Sequence, residues 1–342
     1  MKIVAVAPDV LVATSAYWQT TCTIVRHGDE GFVIDSPVLP EELELLPGVL
    51  EQAGFPFTGL LATHADWDHL LGRIAWPDAA LGVGESTAER LRAEPGAAAR
   101  ELREFDDRNY IVRPRPLSVG AVQSLPVPGT CEIGDMELEL HPTGGHTVDG
   151  MAIFVPWCGV LVVGDHLSPV EIPWISDGGS REVYLETLAR LQPLVERAET
   201  VVPGHGGPIT PGRALALLAE DRAYLKALPG GAKLPEGRRT HEQARIHAEN
   251  VIRVTRHDPV RVRPGGPDPS DPGPPIGVRL DELALGDLGN ARVDARLTQA
   301  ILLRDKRFAT WLRERGVTPD AIEGAFPGSR WAPESPPNDI EG

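Results

Sequence analysis

The chain has 342 residues, 42% hydrophobic and 24% charged, proportions of a folded globular protein that exclude a disordered, collagenous or coiled-coil chain. Its 33 Lys and Arg against 49 Asp and Glu give a net charge of −16, which speaks against nucleic acid or an anionic lipid surface as partner, because both need positive potential. Three cysteines, Cys22, Cys131 and Cys158, with no CxxC pair, leave neither a disulfide framework nor an all-cysteine zinc site.

The first apolar run carries one Lys and is interrupted by Pro8 and Asp9, so it does not read as a signal peptide. No window approaches the roughly 20 apolar residues of a membrane helix, so no membrane partner and a cytoplasmic location are expected. Through about residue 230, short apolar runs alternate with helical patterns. Strands are expected at 3–6, 23–25, 32–34, 60–62, 138–140, 153–155, 160–163 and 201–202, and helices at 41–53, 86–105, 181–198 and 211–228. Thr210 before Pro211 marks a helix start, since the hydroxyl can cap and proline suits the first helical position. The pattern predicts a layered α/β domain over 1–230.

A helical segment follows over 231–257, with Thr240 and Gln243 at capping-box spacing. Residues 258–275 hold seven prolines in eighteen positions and read as an extended connector. Residues 276–342 read as a helical C-terminal extension that ends in a loose Pro-rich tail. Its Leu297, Ile301, Trp311 and Leu312 need burial, and so short a segment does not build a core alone. The extension is therefore expected to pack on the main domain or on a second subunit, which would make a homo-oligomer.

Four apolar runs end in ligand-type residues. The run 60–62 leads through Thr63 into His64, Asp66, Asp68 and His69. The run 138–140 leads to His146 past a Gly-Gly turn, 160–163 to Asp165, and 201–202 to His205 between glycines. A buried strand fixes its own end, and the following loop can aim side chains into one pocket. Each piece alone is compatible with an ordinary turn or helix cap. Their joint occurrence points to a metal centre, and His with Asp suits Zn, Fe or Mn.

With these residues in this order, the sequence resembles the metallo-β-lactamase fold superfamily over about 1–230, in an HxDxDH variant of its metal motif. The resemblance implies an αββα sandwich, here with a mainly helical C-terminal extension, and two divalent metal ions at one edge, expected as Zn with Fe or Mn as alternatives. It assigns His64, Asp66 and His146 to the first ion, Asp68, His69 and His205 to the second, and Asp165 as the bridge. The family usually has His where Asp66 stands. A carboxylate adds negative charge and hardens the site. Asp66 can ligate directly, act through a water, or leave the first site weak; flavodiiron relatives carry Glu there.

What the resemblance implies for function is a glyoxalase-II-like metallo-hydrolase. A metal-held hydroxide would cleave a small ester-like bond (a thioester, a lactone or a related amide), with Asp68 as the catalytic carboxylate that orients the water or carries its proton. The alternatives are a non-haem iron redox protein or dioxygenase, a nuclease, which the acidic charge disfavours, and an inert binding protein. A small-molecule substrate is the expected partner. Tyr17, Trp67 and Trp174 are candidates for its pocket, each with packing in the core as the competing role; Trp18 is weighed alongside Tyr17. His166 adjoins Asp165 and reads either as a support for the site or as a surface residue. His27, His141, His241, His247 and His257 read as structural or solvated.

Overall fold

The structure is a computed structural model that describes residues 1–257. Strands β1 (Lys2–Ala7), β2 (Val10–Thr14), β3 (Thr21–His27) and β4 (Glu30–Asp35) run as an antiparallel meander. After α1 (Pro40–Ala53), β5 (Gly59–Ala62), β6 (Leu81–Gly84) and β7 (Gln123–Leu125) join in parallel, with α2 (Gly72–Ala75), α3 (Glu85–Ala93) and α4 (Ala97–Asn109) between them. The result is one seven-stranded sheet in sequence order. A second sheet of five strands begins with the meander β8 (Gly129–Ile133), β9 (Met136–Pro142), β10 (Met151–Val155) and β11 (Val160–Val162). Helix α5 (Arg181–Arg197) then crosses to β12 (Thr200–Val202), parallel to β11, and α6 (Pro211–Ala227) and α7 (His241–His257) follow.

Alternation along the strands assigns each residue to a layer, because successive side chains point to opposite faces. Val10, Val12, Ile34 and Leu61 of the first sheet meet Ile153, Val155, Val160, Val162 and Val202 of the second in the central core. Their neighbours turn outward. Ala13, Val33, Leu60 and Ala62 pack on Leu43, Leu46 and Leu50 of α1 and on Leu102 and Phe105 of α4. On the other side, Ala152, Phe154, Leu161 and Val201 pack on Leu188 and Val195 of α5, Leu218 and Leu225 of α6, and Ile246 and Val254 of α7. Both faces of both sheets are thus covered, which is why these strands read as continuous apolar runs.

The predicted strands and helices are present with small shifts at their ends. The single helix expected over 86–105 is two, α3 and α4, because Pro95 removes a donor and Gly96 turns left-handed at φ 75°. Strands β2, β6, β7 and β8 are additional to the prediction: Leu81–Gly84 is half glycine, and Gln123–Leu125 and Gly129–Ile133 are polar edge strands. Thr210 and Thr240 both cap, accepting from Arg213 N and Gln243 N. The Gln243 side chain serves another purpose, since its Oε1 accepts from Ile172 N at 2.6 Å. Among the described residues no helix is long and apolar enough to cross a membrane. The expected connector 258–275 and extension 276–342 lie outside the described residues.

Candidate metal centre

Four loops converge at the carboxyl ends of the strands in the two sheets. The loop after β5 carries His64, Asp66, Asp68 and His69, the last two in a short 3-10 turn. The turn after β9 carries His146, the loop after β11 carries Asp165, and the loop after β12 carries His205. Two glycines make room. A Cβ at Gly145 would lie 2.3 Å from Tyr184 Cα, and one at Gly204 would lie 2.1 Å from Asp165 Oδ1. Only glycine allows these backbone approaches.

All seven side chains meet. Asp165 Oδ2 lies 3.4 Å from His146 Nε2, 3.5 Å from His205 Nε2 and 3.8 Å from His64 Nε2, and its Oδ1 lies 3.1 Å from His69 Nε2. Asp66 Oδ2 lies 3.3 Å from His146 Nε2 and 3.6 Å from His64 Nε2. Asp68 Oδ2 lies 3.4 Å from His205 Nε2 and 3.8 Å from His69 Nε2. Three groups have all their donor atoms within 4.8 Å: His64, Asp66 and His146; Asp68, His69 and His205; and His64, His69 and Asp165 between them.

The residues fit metal ions on three counts. A tetrahedral ion with donors at about 2.1 Å holds them roughly 3.4 Å apart, close to these spacings. Buried His64 Nε2, His69 Nε2 and Asp165 Oδ1 have no hydrogen-bond partner in the protein, an expensive arrangement unless an ion takes their lone pairs. Every imidazole also presents Nε2 inward and Nδ1 outward; Nδ1 of His146, His205 and His64 is hydrogen-bonded there, and that of His69 faces a carboxylate at ion-pair distance without hydrogen-bond geometry. His146 Nδ1 is 2.8 Å from Trp174 O, His205 Nδ1 3.2 Å from Trp18 O, His69 Nδ1 3.0 Å from Asp35 Oδ2, and His64 Nδ1 3.0 Å from Thr63 Oγ1. Such outer contacts fix tautomer and ring orientation for a metal ligand.

Electrostatics follow the same pattern. Burial pushes the Asp66 carboxyl up, but the hydrogen bond with His146 and the neighbouring His64 imidazole override it and hold it well below the usual carboxylate range. Asp165 is likewise raised by burial and brought well below by His205, His69 and His64. Burial lowers the imidazoles, yet Asp66 and Asp165 lift His146 to about 9, and Glu171 and Asp165 lift His205 to about 10. Without an ion, protons hold the cluster together. A cation that enters displaces them, so uptake weakens as pH falls.

The other candidates separate. Trp67 is buried against Phe105, ring centroids 4.6 Å apart, and belongs to the core under α4. Tyr17 packs edge-on to Phe105 and donates to Asn109 Oδ1 at 2.8 Å. Trp18 stands beside it with 40% of its surface exposed, on a left-handed backbone at φ 54°. Trp174 lines a small cavity with His146, Asp165 and Glu171, and its indole donates to Glu249 of α7. His166 is buried against Tyr184; burial drops it to about 3, so it stays neutral. His27, His141 and His247 take other partners: Asp135, Glu139 and the Tyr224 hydroxyl.

Several residues around the site escaped the sequence reading. Asp35 ends β4 at φ 58° and accepts from Thr63 N at 2.8 Å while facing His69. It carries the same signal as the ligands, an apolar strand ending in a carboxylate. Arg90 of α3 reaches Asp66 Oδ1 at 2.8 Å and Asp149 Oδ1 at 2.9 Å. No local pattern marks Arg90 or Asp149. Tyr184 of α5 donates to Asp165 O at 3.0 Å.

Residues 16–205, more than half of the chain, match the family model of the metallo-beta-lactamase superfamily. Among solved structures, a metallo-beta-lactamase family protein from Thermus thermophilus is 21% identical with a TM-score of 0.50, over 66% of this chain and 83% of that one. A double mutant of a sec-alkyl sulfatase is 14% identical with a TM-score of 0.51, over 67% of this chain and 42% of that one. A metallo-beta-lactamase from Pontibacter korlensis is 19% identical with a TM-score of 0.48, over 66% and 98%. Sheet order, covered faces and family match agree: the chain belongs to the metallo-beta-lactamase superfamily, a superfamily of metallo-hydrolases.

Proposed function

We propose that the protein is a hydrolase with two divalent ions that cleaves a small ester-like bond, a thioester or a lactone. The observation that carries this reading is the convergence of four inward Nε2 atoms and three carboxylates at ligand spacing. His64, Asp66 and His146 would hold one ion, Asp68, His69 and His205 the other, and Asp165 would face both. When bound, such ions supply a low-pKa water and polarise a carbonyl. The chain does the rest. Asp68 Oδ2 lies 3.4 Å from His205 Nε2 in the second group and is the carboxylate suited to orient the attacking water and accept its proton. The Trp174 and Trp18 carbonyls hold His146 and His205 in one tautomer and the Asp35 carboxylate faces His69 Nδ1, so the donor set is ready before substrate arrives. The exposed ring of Trp18, backed by Trp67 and Phe105, offers an apolar surface for the organic part of a small substrate.

One observation favours a second reading. Asp66 Oδ2 facing His64 and His146 makes a two-His, one-carboxylate set of the kind that suits non-haem iron and redox chemistry. Elemental analysis of protein purified without added metal, with a visible spectrum and a panel of thioesters, lactones and β-lactams, separates the two. Two zinc ions per chain with hydrolysis is the expected result. Iron with visible absorbance and no hydrolysis would favour the redox reading, and a chain that takes up no metal would overturn both.

A further inference from the structure

The family position usually held by a neutral imidazole carries Asp66 here, and the structure shows what comes with it. Arg90 Nη1 lies 2.8 Å from Asp66 Oδ1 and 2.9 Å from Asp149 Oδ1, so one nitrogen with two hydrogens serves two carboxylates. Asp149 is itself anchored: its Oδ2 accepts from Ala65 N at 2.9 Å, inside the metal loop. Its carbonyl accepts from Thr147 Oγ1 at 2.8 Å, next to His146. The Asp149 side chain is fully buried, and those of Arg90 and Asp66 are 15% and 16% exposed. Helix α3 is thereby tied through one guanidinium to the loop of His64 and Asp66 and to the loop of His146.

We propose that Arg90 is a positioning residue that makes Asp66 a stand-in for histidine. With Oδ1 held by the guanidinium, only Oδ2 faces His64 and His146. Two-oxygen chelation is disfavoured, and Asp66 offers one donor, as an imidazole does. Arg90 shares its positive charge between Asp66 and Asp149, so part of the Asp66 charge is offset beside the first site. The carboxylate therefore does not harden the first site in the way its bare charge implies. A strut that merely anchored α3 would need Asp149 alone; the contact with Asp66 Oδ1 is what sets the donor count.

This inference rests on Asp66 being a ligand, and the test separates the two. Zn²⁺ is titrated calorimetrically into chelator-stripped full-length protein. Two ions are expected for the parent and one for D66A. R90A should weaken one of the two ions by about 10–100-fold, the usual effect of losing a group that orients a ligand. Removing a cation next to a cation site also relieves repulsion, so a net loss can come only from lost positioning. R90K keeps the charge and a donor and should recover at least half of the logarithmic loss. The deciding comparison is the D66H background, where imidazole needs no guanidinium. There R90A should leave Zn²⁺ affinity within about threefold of D66H or raise it, whereas a structural strut would cost the same in both backgrounds. If R90A does not fold, R90Q takes its place with the same expectations. Wild-type affinity in R90A, or an equal loss in both backgrounds, overturns the role of Arg90 while D66A still losing one ion leaves the ligand reading standing. Two ions bound at wild-type affinity in D66A would overturn both.

Discussion

Among the described residues, two of the buried clusters of charge look alike in composition and differ in completeness. Around Arg238, whose side chain is 1% exposed, the ring of acceptors belongs to the chain: Asp221 Oδ1 at 2.6 Å, Glu220 Oε2 at 3.1 Å and Glu171 O at 2.8 Å. Around Asp165 the chain leaves buried His64 Nε2, His69 Nε2 and Asp165 Oδ1 with no hydrogen-bond partner. The first cluster carries its own countercharge at both Nη nitrogens, with Arg238 Nε left without a partner, and ties the segment before α7 to α6. The second is open towards a common centre. Buried charge that meets an opposite charge of the chain serves the fold, whereas buried lone pairs that point at one another ask for an ion.

Breaking the open cluster should cost activity and little stability. Asp165→Ala and His205→Ala are each expected to lower turnover of any hydrolysed substrate by about a thousandfold or more, since each removes several kcal/mol of ion-dependent stabilisation. The metal-free variants should melt within a few degrees of the metal-free parent, by calorimetry. A large loss of melting temperature would mean that the centre is a fold-stabilising cluster, and the contrast would collapse.

The closed cluster should behave the other way. Arg238→Ala leaves Asp221 buried without its partner and should destabilise by about 3–5 kcal/mol, read from urea unfolding. Its folded fraction should still take up two metal ions. An Arg238→Ala protein of parental stability would show that the pair contributes nothing net.

Between these limits lies the support of the site. Asp35→Asn keeps the shape but weakens the hold on His69, so Zn²⁺ affinity should fall by about 10–100-fold, with the melting temperature of the metal-free protein little changed. The smallest effect is expected at the rim. Trp18→Ala should raise KM by about threefold to tenfold with kcat nearly constant, because an exposed ring contributes equally to substrate and transition-state binding. A fall in kcat alone would place Trp18 in control of His205 through its carbonyl rather than in the substrate wall.

Much of this was legible in the chain. Apolar runs ending in His64, His146, Asp165 and His205 mark strands whose ends are fixed, and the rigid end of a strand is where a ligand has to sit. The helices followed from period and caps: Thr210 starts α6, and Thr240 starts α7. Edge strands such as Gln123–Leu125 escaped because they bury little, so no apolar pattern records them. Trp67 shows the limit on the site. Its place between two ligands suggested the pocket as readily as the core, and contact with Phe105 of α4 settles it as core.

Sequence alone determined the candidate ligand types, their order and the family, because these depend on local runs and on the chemistry each residue carries wherever it lies. Tertiary structure decided what each ligand is next to. Arg90 meets Asp66 because α3 starts at the end of β6, the strand paired with β5, Asp35 meets His69 because β4 pairs with β5, and the Trp174 carbonyl meets His146 because α7 satisfies the backbone of residues 172–175 through Gln243 and Asn250. Contacts between distant segments leave no trace in the spacing of either segment, and it is these contacts that set the charge and orientation of a metal ligand.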